Sequence, residues 1–278
     1  MKFCQILVDG KCHLACDDGS GLRDLTAAGF PLTMDELICS GAAEAEAFLK
    51  TAEMPVVEHP AVTGILNRVG KIVCVGLNYR DHARKANMKT SDTPALFSKF
   101  ADALAASGEE VALPPWETSY DYEAELVIVI GKKAWNVSVD EARSHIFGFT
   151  CGNDLSCREA QMRTTQWLIG KTMSGFAPCG PCIVTADSYD PDGGKQIRSY
   201  VNGELRQNGT TADMIFPCDE IVSYASKYIC LEPGDLIFTG TPSGVALEGG
   251  GKKWLVPGDL VEIEVEGIGR LVNRMKAG

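Results

Sequence analysis

Residues 122–131 read Tyr-Glu-Ala-Glu-Leu-Val-Ile-Val-Ile-Gly, an apolar strand that carries two carboxylates. Strand side chains alternate between faces, so Glu123 and Glu125 point the same way with Cβ atoms roughly 7 Å apart. Ala124, Leu126, Ile128 and Ile130 make the opposite face apolar, and the glutamate face itself continues with Val127 and Val129. An exposed edge strand with two outward glutamates is the alternative, but a wet face would not run on into two valines. Two like charges buried side by side are strongly unfavourable unless something cancels them. A divalent cation does so, because hard cations take carboxylate oxygens.

A chain of 278 residues can form one large domain, or a small one plus a larger one. The formal net charge of −11 argues against nucleic acid and anionic membrane as partners. It leaves room for a small anionic substrate, because a bound cation reverses the sign locally. The eleven cysteines come without a visible secretory leader. No apolar run approaches the roughly 20 residues that span a bilayer. These features set the expectation of a cytoplasmic protein with reduced thiols.

The first 65 residues differ from the rest. They predict strands over Lys2–Val8 and His13–Ala15 and helices over Met34–Ser40 and Ala43–Thr51, with Pro55 and Pro60 breaking the pattern. A boundary near residue 68 would separate a small N-terminal α+β domain (1–68) from a catalytic domain (69–278). The remainder predicts many short strands, among them Lys71–Gly76, Leu126–Ile130, Ile146–Cys151, Ile183–Thr185, Ile197–Val201, Leu236–Thr239 and Leu260–Val265. Asn202-Gly203 marks a hairpin, since Asn-Gly suits a type I′ turn. Helices are fewer: Ser138–His145, Leu155–Arg163 and Cys218–Lys227. The pattern is α+β and β-rich, without regular strand–helix alternation.

Three further segments join the glutamate pair. Val75-Gly76-Leu77-Asn78-Tyr79-Arg80-Asp81-His82 runs a strand into a Gly-Asn loop and delivers His82, and such loops commonly mount catalytic side chains. Gly152-Asn153-Asp154 ends another strand; Asp154 is a helix cap or a third oxygen ligand beside Glu123 and Glu125. Carboxylates with waters suit Mg²⁺, Mn²⁺ or Ca²⁺ rather than zinc. Leu168-Ile169-Gly170-Lys171 places a lysine after an apolar run, where it either snorkels to the surface or, near a metal, stabilises an enolate or carboxylate.

In this order the segments resemble the fumarylacetoacetate hydrolase family across about residues 70–275. The likeness extends to Phe-Ser-Lys-Phe (97–100), Ser-Cys-Arg-Glu-Ala-Gln (156–161), Gln-Trp-Leu-Ile-Gly-Lys (166–171), Val-Asn-Gly-Glu (201–204) and Thr-Gly-Thr-Pro-Ser-Gly-Val (239–245). It implies a mixed β-roll, a homodimer, and a divalent metal held by Glu123, Glu125 and Asp154. It also implies that Lys99, Lys171, Arg158 and Gln161 face the substrate, that Thr241 binds a substrate carboxylate, and that His82 is a general base on a lid. The chemistry implied is cleavage of a carbon–carbon bond in a 2,4-dioxo acid through a stabilised enolate, hydrolysis first. Oxaloacetate tautomerisation or decarboxylation would use the same enolate.

Two departures bear on that choice. Hydrolytic members carry a glutamate three residues after the lid histidine, where this chain has Lys85. After Lys171 the chain reads Thr-Met-Ser-Gly-Phe instead of the common Ser-Phe-Asp-Thr-Phe. A separate motif, Cys179-Gly180-Pro181-Cys182, has the form of a redox dithiol, yet a β-leaning run follows it where that chemistry needs a helix N-terminus.

Overall fold

The computed structural model describes residues 1–19, 21–52, 54, 56–58, 61–85, 91–248 and 251–278. Pro55 and Pro60 lie outside them. Among the described residues, strands form an eleven-stranded mixed sheet, a five-stranded sheet and one two-stranded pair. The main path of the large sheet runs Leu22–Asp24, Lys11–Asp17, Lys2–Val8, Ala177–Thr185, Ile146–Asn153, Ala124–Ile130, Leu236–Phe238, Ile72–Gly76, Ala95–Lys99. The five-stranded sheet runs Glu204–Thr210, Gln196–Val201, Leu260–Val265, Gly269–Ala277, Glu110–Leu113.

The strand Ala124–Ile130 is the axis of the molecule, and every residue in it is buried. Leu126, Ile128 and Ile130 enter the core between the two sheets, while Val127 and Val129 enter a second core that also holds Phe3, Leu14, Leu37 and Ile38. This is why the glutamate face continues as valine: both faces of the strand are covered. The second core takes residues from both sides of position 68, and Lys2–Val8 pairs directly with Ala177–Thr185. The N-terminal segment therefore shares a sheet and a core with the rest, and the stretch around residue 68 is the connection into strand Ile72–Gly76.

Several elements follow their local signals. Lys2–Val8 is a strand and Met34–Ser40 a helix, the latter opened by a Thr33/Glu36 capping box. Asn202 and Gly203 both have positive φ (52° and 78°), as a type I′ turn requires. Ser138 caps the helix Val139–Ala142, which continues as a 3₁₀ turn to His145.

Two differences have physical causes. The helix expected from Leu155 starts only at Arg158, because Ser156 and Cys157 first pair with Tyr120–Asp121. The strand expected over Ile183–Thr185 begins at Ala177 and swallows the Cys-Gly-Pro-Cys motif. Its register slips between Phe149 and Cys151, a bulge that accommodates Gly180 (φ +134°) and Pro181.

Among the described residues no helix is long and apolar enough to cross a membrane.

Candidate active site

Antiparallel pairing builds the acidic centre. Ala124 pairs with Asn153 and Glu125 with Gly152, so Asp154, one residue past the strand end, comes beside Glu123. Two bonds lock that junction: Asp154 N donates to the Glu123 carbonyl (3.0 Å), and Glu123 N donates to Asn153 Oδ1 (3.0 Å). Glycine is required opposite Glu125, because a Cβ at Gly152 would lie 2.4 Å from Val127 Cγ2 and 2.7 Å from Phe238 Cε1. One carboxylate oxygen from each of Glu123, Glu125 and Asp154 lies within 4.8 Å of the others, and all three residues are buried. Asp154 does not cap the following helix, whose N-cap is Cys157.

Three cations are buried around these acids. Lys171 Nζ donates to Glu123 Oε2 (2.8 Å) and to Asp154 Oδ2 (2.7 Å). It is buried, so the snorkelling alternative does not hold. Arg158 donates from Nη2 to Glu123 Oε1 (2.6 Å), from Nε to Asp121 Oδ2 (2.8 Å), and from Nη1 to Gln161 Oε1 (3.0 Å). Lys99 Nζ lies 2.5 Å from Asp154 Oδ1 and donates to the carbonyls of Leu155 (3.0 Å) and Phe176.

The charge balance is informative. Asp121, Glu123 and Asp154 each have a cation in contact; Glu125 has none within 4 Å among the described residues and accepts only from Gly240 N (2.7 Å). Gly240 can approach because its φ is +96° and a Cβ there would sit 2.8 Å from Asn78 Cβ. Burial, reinforced by Asp154 and Glu123, raises the Glu125 carboxyl well above its ordinary range. Burial alone would raise Glu123 too, but Arg158 and Lys171 outweigh it and hold that carboxyl at about 2. Burial works to lower Lys171, and the charges of Asp154 and Glu123 overcome it and raise the ammonium above its usual value. One buried carboxylate without a cation, aimed at two others, is the environment that an oxygen-seeking divalent ion completes. The residues present thus fit a Mg²⁺, Mn²⁺ or Ca²⁺ ion.

A cavity of about 380 Å³ opens onto Glu123 and Glu125. Lys171, Arg158, Gln161 and Thr241 line its polar side, and Val75, Leu77, Phe97, Met162, Trp167 and Leu247 form an apolar wall. His82 and Lys85 reach it from the helix Arg80–Lys85. That helix is tied down beneath: Asn78 Nδ2 donates to the carbonyls of Thr239 (2.7 Å) and Phe216 (3.1 Å), and Asp213 accepts from Asp81 N (3.0 Å).

The structure thus gathers His82, Glu123, Glu125, Arg158, Gln161, Lys171 and Thr241 around one cavity, with Asp154 behind the glutamates. Lys99 is a correction. It does not line the cavity, and its ammonium is spent on Asp154 and two carbonyls, so it fixes Asp154 instead of facing a substrate. The Thr241 hydroxyl donates to the Ala124 carbonyl (2.9 Å) and accepts from Gln207 Nε2 (2.7 Å), which leaves its backbone as the freer donor.

Sequence reasoning missed Asp121, Gln207 and Glu248. Asp121 and Gln207 act through contacts 37 and 83 residues away, on Arg158 and Ala124 N, and carry no local pattern. Cys179 and Cys182 lie buried in a strand, and burial pushes both thiols up (Cys182 to about 11), opposite to what a reactive dithiol needs.

A profile of the fumarylacetoacetate (FAA) hydrolase C-terminal domain matches residues 71–276, nearly three quarters of the chain. The chain belongs to the fumarylacetoacetate hydrolase family. Within the family it is 36% identical over 273 residues to the human oxaloacetate tautomerase FAHD2A, mitochondrial, covering 95% of this chain and 87% of that protein. The fumarylacetoacetate hydrolase of the psychrophile Exiguobacterium antarcticum superposes with a TM-score of 0.87 at 31% identity, covering all of both chains. The maleylpyruvate hydrolase of a Sphingobium species, solved with manganese(II) and pyruvate, superposes with a TM-score of 0.80 at 26% identity, again over all of both chains. The β-rich mixed-sheet fold is therefore that of the family.

Proposed function

We propose that the chain is a divalent-metal-dependent enzyme that interconverts the keto and enol forms of an oxaloacetate-like 2-oxo acid. One observation carries this reading: an imidazole, a buried ammonium and the two glutamates of the acid triad open onto the same cavity. The tautomerase relatives, 36% identical over most of the chain, give it its substrate class.

A cation held by Glu123, Glu125 and Asp154 would supply a Lewis acid for the 2-oxo and carboxylate oxygens. The chain's own residues do the rest. His82 takes a proton from the carbon beside the ketone. Lys171 spends two of its three N–H donors on Glu123 and Asp154, and turns the third toward the oxygen where negative charge gathers. The proton taken from carbon is replaced by one delivered to the enolate oxygen from solvent, which completes the enol and leaves His82 to release its own. In the return direction the oxygen loses its proton and His82 gives one back to carbon. Arg158 and Gln161 stand at the polar wall for a substrate carboxylate, and Lys85 at the mouth suits a second one.

A second reading has its own support. The apolar wall formed by Phe97, Trp167 and Leu247 suits an acyl arm, which favours hydrolysis of an acylpyruvate with His82 activating water. Purified protein with Mn²⁺ or Mg²⁺ should change the enol absorbance of oxaloacetate without loss of carbon. Release of pyruvate plus a second acid from an acylpyruvate, with no effect on oxaloacetate, would overturn the tautomerase reading in favour of hydrolysis. A dimer is part of the proposal on family likeness; a monomeric mass by light scattering would remove it.

A further inference from the structure

Arg158 and Lys171 line the cavity, but both are already bound to carboxylates of the protein. Lys85 lines it too, from the last position of the helix Arg80–Lys85, and is exposed. Among the described residues no carboxylate lies within 4 Å of its ammonium, and the contact it makes is neutral: Nζ donates to Ser243 Oγ (2.9 Å), two residues beyond Thr241. The other cations of the helix are spent elsewhere, Arg84 on Asp81 (2.8 Å) and Arg80 on the Met214 carbonyl (2.7 Å). Glu248 shares the cavity wall with Lys85, yet its two oxygens are engaged by His82 Nδ1 and Gly244 N.

We propose that Lys85 is the specificity-determining residue for the far end of the substrate, selecting a 2-oxo acid with a second carboxylate over one whose tail is uncharged. The inference rests on the 2-oxo-acid reading of the site given above.

An ammonium has three N–H donors. Ser243 takes one and ties the side chain to the loop that carries Thr241, so two remain for a ligand. A point charge on a flexible stem suits a carboxylate whose distance from the reacting carbon varies a little from one substrate to the next. The apolar wall of Phe97, Trp167 and Leu247 would by itself favour an acyl or alkyl tail. Lys85 works against that preference. An uncharged tail laid over the ammonium strips its water and returns no counter-charge, whereas a carboxylate replaces the lost water with an ion pair. Selectivity therefore has two parts, attraction for one tail and a cost for the other. Because Lys85 is exposed, solvent and salt screen the attraction, which sets its effect below that of a buried pair.

The test is a binding comparison on the full-length protein loaded with Mg²⁺, with Trp167 in the cavity wall as the fluorescent reporter. The two ligands are oxaloacetate, already at its keto–enol equilibrium so that no net turnover disturbs the titration, and 2-oxobutyrate, which has a methyl group in place of the second carboxylate. Wild type should bind oxaloacetate more tightly, and raising the ionic strength from about 0.05 to about 0.5 M should narrow the ratio. Lys85→Met should weaken oxaloacetate about 3- to 10-fold and 2-oxobutyrate less than about twofold. Lys85→Glu should weaken oxaloacetate further by repulsion, and Lys85→Arg should keep the preference. In turnover the loss should fall on KM for oxaloacetate more than on kcat. A wild type that binds both ligands equally overturns the proposal. So does a Lys85→Met protein that loses both to the same degree, which would make the Ser243 contact a clamp on the helix with no part in selection. Absence of turnover on both oxaloacetate and acylpyruvates would sink the functional reading instead, and the ratio of the two affinities would still decide what Lys85 selects.

Discussion

Glu125→Gln is the substitution for which the structure gives the most unusual forecast, a stabilised protein that no longer answers to metal. At the 4.8 Å limit of the triad, with an effective dielectric of about 20, one carboxylate repels another by roughly 3.5 kcal/mol. Glu125 meets two such neighbours. Arg158, Lys171 and Lys99 cancel most of the field of Glu123 and Asp154, and a Gln carbonyl still accepts from Gly240 N. A net gain of about 1–3 kcal/mol in the metal-free protein is then expected once Glu125 would otherwise be ionised. For a chain of 278 residues this is about 2–5 °C in Tm. The sign with pH follows from the raised Glu125 carboxyl. Its favourable contribution is whole below the ordinary value of 4.5 and is lost as pH rises through the raised value, so the advantage of Gln should be absent in acid and grow toward alkaline pH. Metal closes this gap. At a hundredfold excess over Kd a bound ion stabilises by about 2.7 kcal/mol, which raises the wild-type Tm by about 5 °C and Glu125→Gln by almost nothing. Differential scanning fluorimetry after chelation, at an acid and an alkaline pH, with and without Mn²⁺, reads both effects. A metal-free variant less stable than wild type at alkaline pH would show that Glu125 is not uncompensated, and a variant with the full metal shift would show that it is not a ligand.

Lys171→Met should cut kcat by about 10²–10³-fold, the usual loss for one charge-stabilising donor. It should also destabilise the metal-free protein by about 1–3 kcal/mol, because Glu123 and Asp154 each lose one charged donor but keep Arg158 and Lys99; steady-state kinetics and chemical denaturation check the two arms. Apparent metal affinity should rise with pH above about 4.5, because the raised Glu125 carboxyl must lose its proton to bind. Calorimetry in buffers of different ionisation enthalpy should detect that proton, and a pH-independent affinity would contradict the assignment. Cys179→Ser should leave turnover unchanged and cost about 1–3 kcal/mol for a buried hydroxyl, and neither protein should reduce disulfides.

Local chemistry made a large part of this protein readable. Alternation along Ala124–Ile130 announced a strand with Glu123 and Glu125 at one end, and Asn202-Gly203 announced its hairpin, because side-chain period and turn geometry depend on neighbours in sequence. The ends of elements were less legible where distant pairing intervened: Ser156 and Cys157 were drawn into a strand by Tyr120–Asp121, which delayed a helix that the sequence alone would start sooner. Lys99 has the same composition and neighbours whether it faces a ligand or a carboxylate, and only packing against Leu155 and Phe176 turned it inward to Asp154. Glu248 is an ordinary acidic residue in a loop until the fold carries it 166 positions back to His82. Thus the residue types, the strand that bears the acids and the sign of the charge were written locally. The partner of each charge was settled by tertiary structure, since a buried ion pair is a contact between segments that meet only when the sheets close.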